Sequence, residues 1–258
     1  MAFFISPSRV ARYFYHDCER YLRYHATPAA QCAVHGVPAT VQTGSPVTAA
    51  ILARGYQWEE EVVRSRLGER ARVARGRGPL HERTHGVAQT LELLEGLTDG
   101  EYLYQPTLRV PDAFLRRHGL DPALCRFPEC RPDLLYLEDD PAGQRTLWVI
   151  DIKASDALKT SHRIQTALYA LILRDVLAQA GLADIQVDLA EAGIWLFGAD
   201  RPEWFDLATT LPLVEGFLRE RLTEILSRPV DEVPWHLFFR CEWCEFYSHC
   251  QDEAEQTR

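Results

Sequence analysis

The alternation of apolar and polar positions divides the chain into helical and strand-like stretches. Ser6 and Pro7 form a helix start, an N-cap followed by a first-turn proline. Apolar and aromatic residues continue that helix through Tyr15 and deliver Cys18 near its end. Residues 26–48, rich in Ala, Pro, Thr and Gly, read as a loop. A helix is predicted from about Thr48 to Leu67, with Gly55 inside it or at a break, then a Gly- and Arg-rich loop over 68–80. Strand-like runs follow at Glu101–Val110, Leu134–Leu137 and Leu147–Ile152, the last two separated by turn residues 139–143. Residues 111–130 read as an inserted loop or short helix. Helical spacing returns over Ser161–Ala180, with Ser161 as N-cap and Gly181 as the C-terminal stop. A strand at Ala192–Phe197, a helix from about Thr210 to Ser227 and a cysteine-bearing tail complete the chain. That order predicts an α/β fold with a mixed sheet and no internal repeat.

Length and composition refine this picture in a few respects. A chain of 258 residues buries a sizeable core, as one large domain or one with a helical extension. No run approaches the roughly 20 apolar residues of a membrane helix, and Met1–Pro7 lacks the features of a secretory signal. The expectation is a cytoplasmic protein with no membrane partner. The net charge of −9 argues weakly against nucleic acid, but Arg64, Arg66, Arg70, Arg72, Arg75, Arg77 and Arg83 crowd one stretch, with Arg116 and Arg117 further on. A local basic track binds phosphates whatever the overall balance; a solvated helix face and loop explains it equally well. Against 26 Arg stand two Lys, Lys153 and Lys159. Lys presents a compact ammonium that Arg does not replace, which draws attention to Lys153.

Three residues make the candidate chemistry. Asp133 opens one predicted strand and Asp151 lies near the end of the next, so a hairpin brings the two carboxylates to one sheet edge. Asp151 and Lys153, two apart, share a strand face, while Ile152 points into the core with its backbone carbonyl available. Carboxylate oxygens hold Mg²⁺ or Mn²⁺, the ion activates water and polarises a phosphoryl oxygen, and an ammonium stabilises developing charge. An Asp-x-Lys triplet alone is a weak signal, and Asp133 after Pro132 also suits a plain strand-entry turn. Further pieces stand around it. Glu59 follows Gly55 by four positions on a helix, Gln165 and Tyr169 lie one helical turn apart, and His162 and Arg163 open that helix, whose N-terminus attracts phosphate.

The series Gly55-x-x-x-Glu59, Pro132-Asp133, Asp151-Ile152-Lys153 and Gln165-x-x-x-Tyr169 resembles the RecB-like branch of the PD-(D/E)XK nucleases. The resemblance implies a restriction-endonuclease-like core with a mixed central sheet flanked by helices. It implies Glu59, Asp133, Asp151 and the Ile152 carbonyl as ligands of Mg or Mn, Lys153 as the catalytic amine beside Asp151 and Asp133, and Gln165, Tyr169, His162 and Arg163 bordering the DNA. Many relatives carry His where Glu59 stands, and Glu60 is a rival for that ligand.

Seven cysteines, an odd number, argue against a disulfide framework in a cytosolic chain. Cys241-x2-Cys244-x5-Cys250 is compact and supplies three soft ligands, and Cys18 is the candidate fourth. Four thiolates satisfy a structural Zn²⁺ equally well. The arrangement is similar to the iron–sulfur subset of the same family, including AddB-type nuclease domains and CRISPR adaptation nucleases, which implies a [4Fe–4S] cluster on Cys18, Cys241, Cys244 and Cys250. Cys32, Cys125 and Cys130 read as ordinary thiols. The expected organisation is a single domain over 1–258, with a nuclease core at 49–227 and cluster-forming ends at 1–48 and 228–258. The expected activity is a metal-dependent deoxyribonuclease, exonucleolytic on single-stranded DNA or DNA ends, in repair, recombination or defence, with a helicase or CRISPR-type partner. A non-catalytic nucleic-acid-binding module of such an assembly and a restriction-type endonuclease are the alternatives.

Overall fold

A computed structural model describes residues 2–38 and 46–256. Its centre is a mixed sheet of β1 (Ala71–Arg72), β2 (Tyr102–Tyr104), β3 (Leu134–Asp139), β4 (Arg145–Lys153), β5 (Ile185–Val187), β6 (Glu191–Leu196) and β7 (Glu203–Asp206). The spatial order is β1-β2-β3-β4-β6-β7, with β5 pairing the start of β4. The predicted hairpin forms: β3 and β4 run antiparallel with Leu134 opposite Ile150 and Asp139 opposite Arg145. The β4–β6 pair is parallel and joined by a helical crossover, as the topology of parallel neighbours requires.

Alternation on β4 assigns its two faces. Leu147 and Val149 enter one core, shared with α1 (Pro7–His16), the long helix Thr160–Ala180 and the helical segment Thr210–Ser227. Ile150 and Ile152 enter a second, smaller core on the other face, under α3 (Pro46–Glu61), with Trp58, Val62, Tyr104, Leu134 and Trp195. Asp151 and Lys153 continue the Leu147–Val149 row, so the carboxylate is carried to the end of a buried apolar line. Trp58 fixes α3 over the sheet, its indole donating to the Trp195 carbonyl at 3.3 Å.

Several elements differ from the sequence expectation. Ser6 caps α1 as predicted, accepting from the Arg9 N–H. The helix then stops at Asp17, which is left-handed at φ 48°, and Cys18 is the N-cap of a second helix, α2 (Glu19–Ala26). Within the stretch read as a loop over 26–48, a short helix spans Ala29–Cys32 and α3 begins at Pro46; residues 39–45 lie outside the described residues. The strand expected at Glu101–Val110 is confined to Tyr102–Tyr104, because Gln105 turns left-handed. The long helix, α4 (Thr160–Ala180), is capped by Lys159 rather than Ser161 and ends at Gly181 as expected. The tail carries an unexpected helix, α5 (Tyr247–Gln256). It packs beside α2, and Tyr21, Tyr24, Val230 and Phe246 form a third apolar cluster where the two ends of the described chain meet.

Candidate active site

The site forms where β2 and β4 end and β3 begins. The Ile152 N–H donates to Asp133 Oδ2 at 2.7 Å, which ties the first residue before β3 to the last turn of β4. Asp151 is fully buried, and neither carboxylate oxygen receives a hydrogen bond of good geometry. Its partner is the Lys153 ammonium, in direct contact with Oδ2. A buried carboxylate left in this condition is costly unless something completes its shell.

Electrostatics bind these groups into one unit. Burial, then the neighbouring charge of Asp151, drives the Asp133 carboxyl well above the usual carboxylate range, with Lys153 opposing and Glu59 adding. Burial depresses the Lys153 ammonium, but Asp151, Asp133 and Glu59 overcome it and hold the group above its ordinary value. Three carboxyl groups therefore surround one ammonium. Glu59 reaches in from α3, its Oε1 accepting from Tyr104 at 2.6 Å and from Gln105 Nε2 at 2.7 Å. Its neighbour Glu60 pairs instead with Arg64 at 2.9 Å on the helix surface, so Glu59 is the residue the fold turns toward Asp133. Among the described residues, no three Asp, Glu, His or Cys side chains form a finished single-ion site. The unsatisfied Asp151 oxygens and the hard carboxylate donors nonetheless suit a divalent cation.

The α4 residues divide in their placement. Tyr169 is buried, hydrogen-bonded to Gln165 Nε2 at 3.3 Å, and its phenol is raised by burial and by Asp151 and Asp133. It walls the acid pair rather than standing free for DNA. His162 is lowered to about 4 by burial and by Lys153, so its imidazole is neutral near neutral pH. The Arg163 guanidinium lies 5.3 Å from the centroid of the Phe205 ring. Of the arginine-rich stretch, Arg64, Arg66 and Arg72 are committed to Glu60, Asp200 and Glu101. Arg75 and Arg77 are exposed and have no ion-pair partner among the described residues.

Tyr104 and Gln105 are site residues that the sequence reading missed. Both lie inside the run predicted as one continuous strand, and only the neighbourhood of Pro106 hinted at a break.

At the other end of the molecule, Cys18, Cys241, Cys244 and Cys250 line one cavity with Tyr21, Tyr24, Trp235 and Phe246. Burial raises the Cys18 and Cys250 thiols and pushes Cys244 up to about 12. Cys18 and Cys250 each add to the Cys244 shift, but among the described residues no three cysteines are close enough to hold a metal ion. Arg20 closes one side, its guanidinium 4.1 Å from the Trp235 ring and paired with Glu253 at 2.7 Å. Cys125 and Cys130 sit in the main core and Cys32 lies outside this cavity.

A mixed sheet whose central hairpin brings two aspartates together, with a lysine two residues after the second, defines a class of phosphodiester-cleaving folds. The family model of the PD-(D/E)XK nuclease superfamily matches residues 15–251, and the chain belongs to that superfamily. Membership implies metal-dependent nuclease activity. A comparison with curated proteins gave no match. No helix among the described residues is long and apolar enough to cross a membrane.

Proposed function

We propose that the chain is a Mg²⁺- or Mn²⁺-dependent deoxyribonuclease of the RecB-like branch, acting on single-stranded DNA or DNA ends. The observation that carries this reading is the buried Asp151 carboxylate, beside Asp133 and with the Lys153 ammonium as its one partner among the described residues. Asp133, Asp151, Glu59 and the Ile152 backbone carbonyl would hold the ion. When bound, it supplies Lewis acidity and a more acidic water. Lys153 orients the attacking water through its ammonium and stabilises charge on the phosphate oxygens. Tyr169 and Gln165 exclude bulk solvent from the acid pair, which strengthens each charge interaction there. His162 donates or accepts as a neutral ring, and Arg163 with the exposed Arg75 and Arg77 attracts the DNA backbone. Processing of DNA in repair, recombination or defence, beside a helicase or CRISPR-type partner in the cytoplasm, fits this chemistry.

For the cysteine cavity we infer a [4Fe–4S] cluster on Cys18, Cys241, Cys244 and Cys250. Four cysteines drawn from both ends of the chain and lining one largely apolar cavity support it. Ligation would staple α2 to the tail across a loop of more than 200 residues.

The test is cleavage of end-labelled single- and double-stranded DNA and closed circles with Mn²⁺. Activity on linear single strands, lost in Asp133→Ala and Lys153→Ala, is the expected result. Cleavage of circles into discrete fragments identifies an endonuclease, and inertness with every metal identifies a binding module. Anaerobic purification should give a brown protein with about four irons per chain; zinc without iron overturns the cluster and leaves the nuclease reading intact.

A further inference from the structure

Gln105 combines a left-handed backbone with contacts to both sides of the acid site. Its backbone sits at φ 46°, a left-handed conformation that is uncommon outside glycine. Both of its backbone groups are also engaged: the N–H donates to the Asp133 carbonyl at 2.9 Å, and the carbonyl accepts from the His85 N–H at 3.3 Å. The strained turn therefore has a cause. The N–H continues the ladder in which Tyr104 lies opposite Leu134, while the side chain swings out of the strand to reach α3. There Nε2 meets Glu59 Oε1, the same oxygen that accepts from Tyr104.

One residue thus touches both walls of the acid site, by backbone to Asp133 and by side chain to Glu59. Both donors also converge on a single Glu59 oxygen. Oε2 makes no hydrogen bond among the described residues and is left available. A carboxylate held by one oxygen presents the other in a fixed direction, as groups behind metal ligands commonly do. Glycine at position 105 would serve the backbone without strain, so a glutamine there is tolerated for its side chain.

The geometry points to Gln105, assisted by Tyr104, as a positioning residue that aims Glu59 Oε2 at the divalent ion and couples that aim to Asp133. This rests on the metal-site reading above. The experiment measures Mn²⁺ affinity by electron paramagnetic resonance of free Mn²⁺, and thermal unfolding in EDTA, for the wild-type protein and for Gln105→Gly, Tyr104→Phe and Asp151→Ala. Gln105→Gly removes the amide and relieves the left-handed backbone. It should unfold at the same or a higher temperature, yet bind Mn²⁺ about 10- to 100-fold more weakly, the usual cost of losing a group behind a ligand. Tyr104→Phe should weaken Mn²⁺ in the same direction. If Gln105→Gly loses stability and affinity together, the residue is merely structural and the inference is overturned. If Gln105→Gly and Tyr104→Phe keep wild-type affinity while Asp151→Ala loses it, the inference falls and the metal site stands. Unchanged affinity in all three variants removes the metal-site reading as well.

Discussion

Replacing Asp151 by Asn should stabilise the metal-free protein and destroy its function. Three carboxyl groups crowd the Lys153 ammonium, and Asp151 is the fully buried one, with that ammonium as its partner. Removing one member of a balanced buried ion pair is ordinarily destabilising. Here Asp133 and Glu59 remain as counter-charges for Lys153, and Asp133 is relieved of the neighbour that helps raise it. Asn keeps a polar amide in place, so the gain is the relief of one excess buried negative charge, about 1–2 kcal/mol. For a domain of this size that corresponds to a rise of about 2–8 °C in Tm. Metal reverses the order. Mn²⁺ at about 100 times its Kd stabilises the wild-type fold by about 2.7 kcal/mol, or about 5–10 °C. In Asp151→Asn that shift should nearly vanish. Thermal unfolding followed by circular dichroism, with EDTA and with Mn²⁺, reads both effects in one series. A variant less stable than wild type in EDTA, with the full Mn²⁺ shift retained, would refute the reasoning.

Lys153→Met should lower the cleavage rate by about 10²–10³-fold, the usual cost of one transition-state donor, while Mn²⁺ affinity holds or rises because the acids lose their competing cation; single-turnover kinetics beside a metal titration separates the two. Glu245 contributes to the acid limb of stability: burial opposes its ionisation, but the His25 hydrogen bond and Arg12 win and hold its carboxyl at about 2. Its folded value is depressed, so its contribution is present above the usual 4.5 and lost as pH falls toward about 2, and Glu245→Gln should flatten that part of an acid-unfolding curve. Asp133 works in the opposite direction in EDTA. Its raised value favours the fold at low pH and costs stability as pH rises through it, so Asp133→Asn should remove that alkaline-side loss. Gly193→Ala should cost about 1–3 kcal/mol by overpacking, because the added methyl meets Ile150 Cγ1 at 3.0 Å and Pro202 Cβ at 3.3 Å; chemical denaturation measures it.

The parts of the fold that were legible in sequence are those with a strong period or clear punctuation. The hairpin was readable because Leu134–Leu137 and Leu147–Ile152 flank a turn-rich segment, and its geometry alone brings Asp133 to Asp151. The long helix was readable from its 3.6-residue spacing and Gly181. The rest depended on single backbone states or on very short elements. Nothing in Asp17 announces a left-handed residue that ends α1 and hands Cys18 to the start of α2. The strands Ala71–Arg72 and Ile185–Val187 have two and three residues, too few for alternation to register. Helix α5 is largely polar and carries no apolar stripe. Glu59 entered through the resemblance that Gly55-x-x-x-Glu59 helps to carry, but its donors Tyr104 and Gln105 were hidden in a run that looks like uninterrupted strand.

The row Leu147, Val149, Asp151, Lys153 has a further consequence for how this domain evolves. Because Asp151, Lys153 and the core residues share one face of β4, slipping that strand by a single position would bury Lys153's neighbours wrongly and push Asp151 toward the opposite layer. A change that shifts the pairing of Leu134 with Ile150 by one position should therefore abolish folding and chemistry together, leaving no stable but inactive intermediate along that route. Lengthening the turn without shifting the pairing of Leu134 with Ile150 remains open to drift.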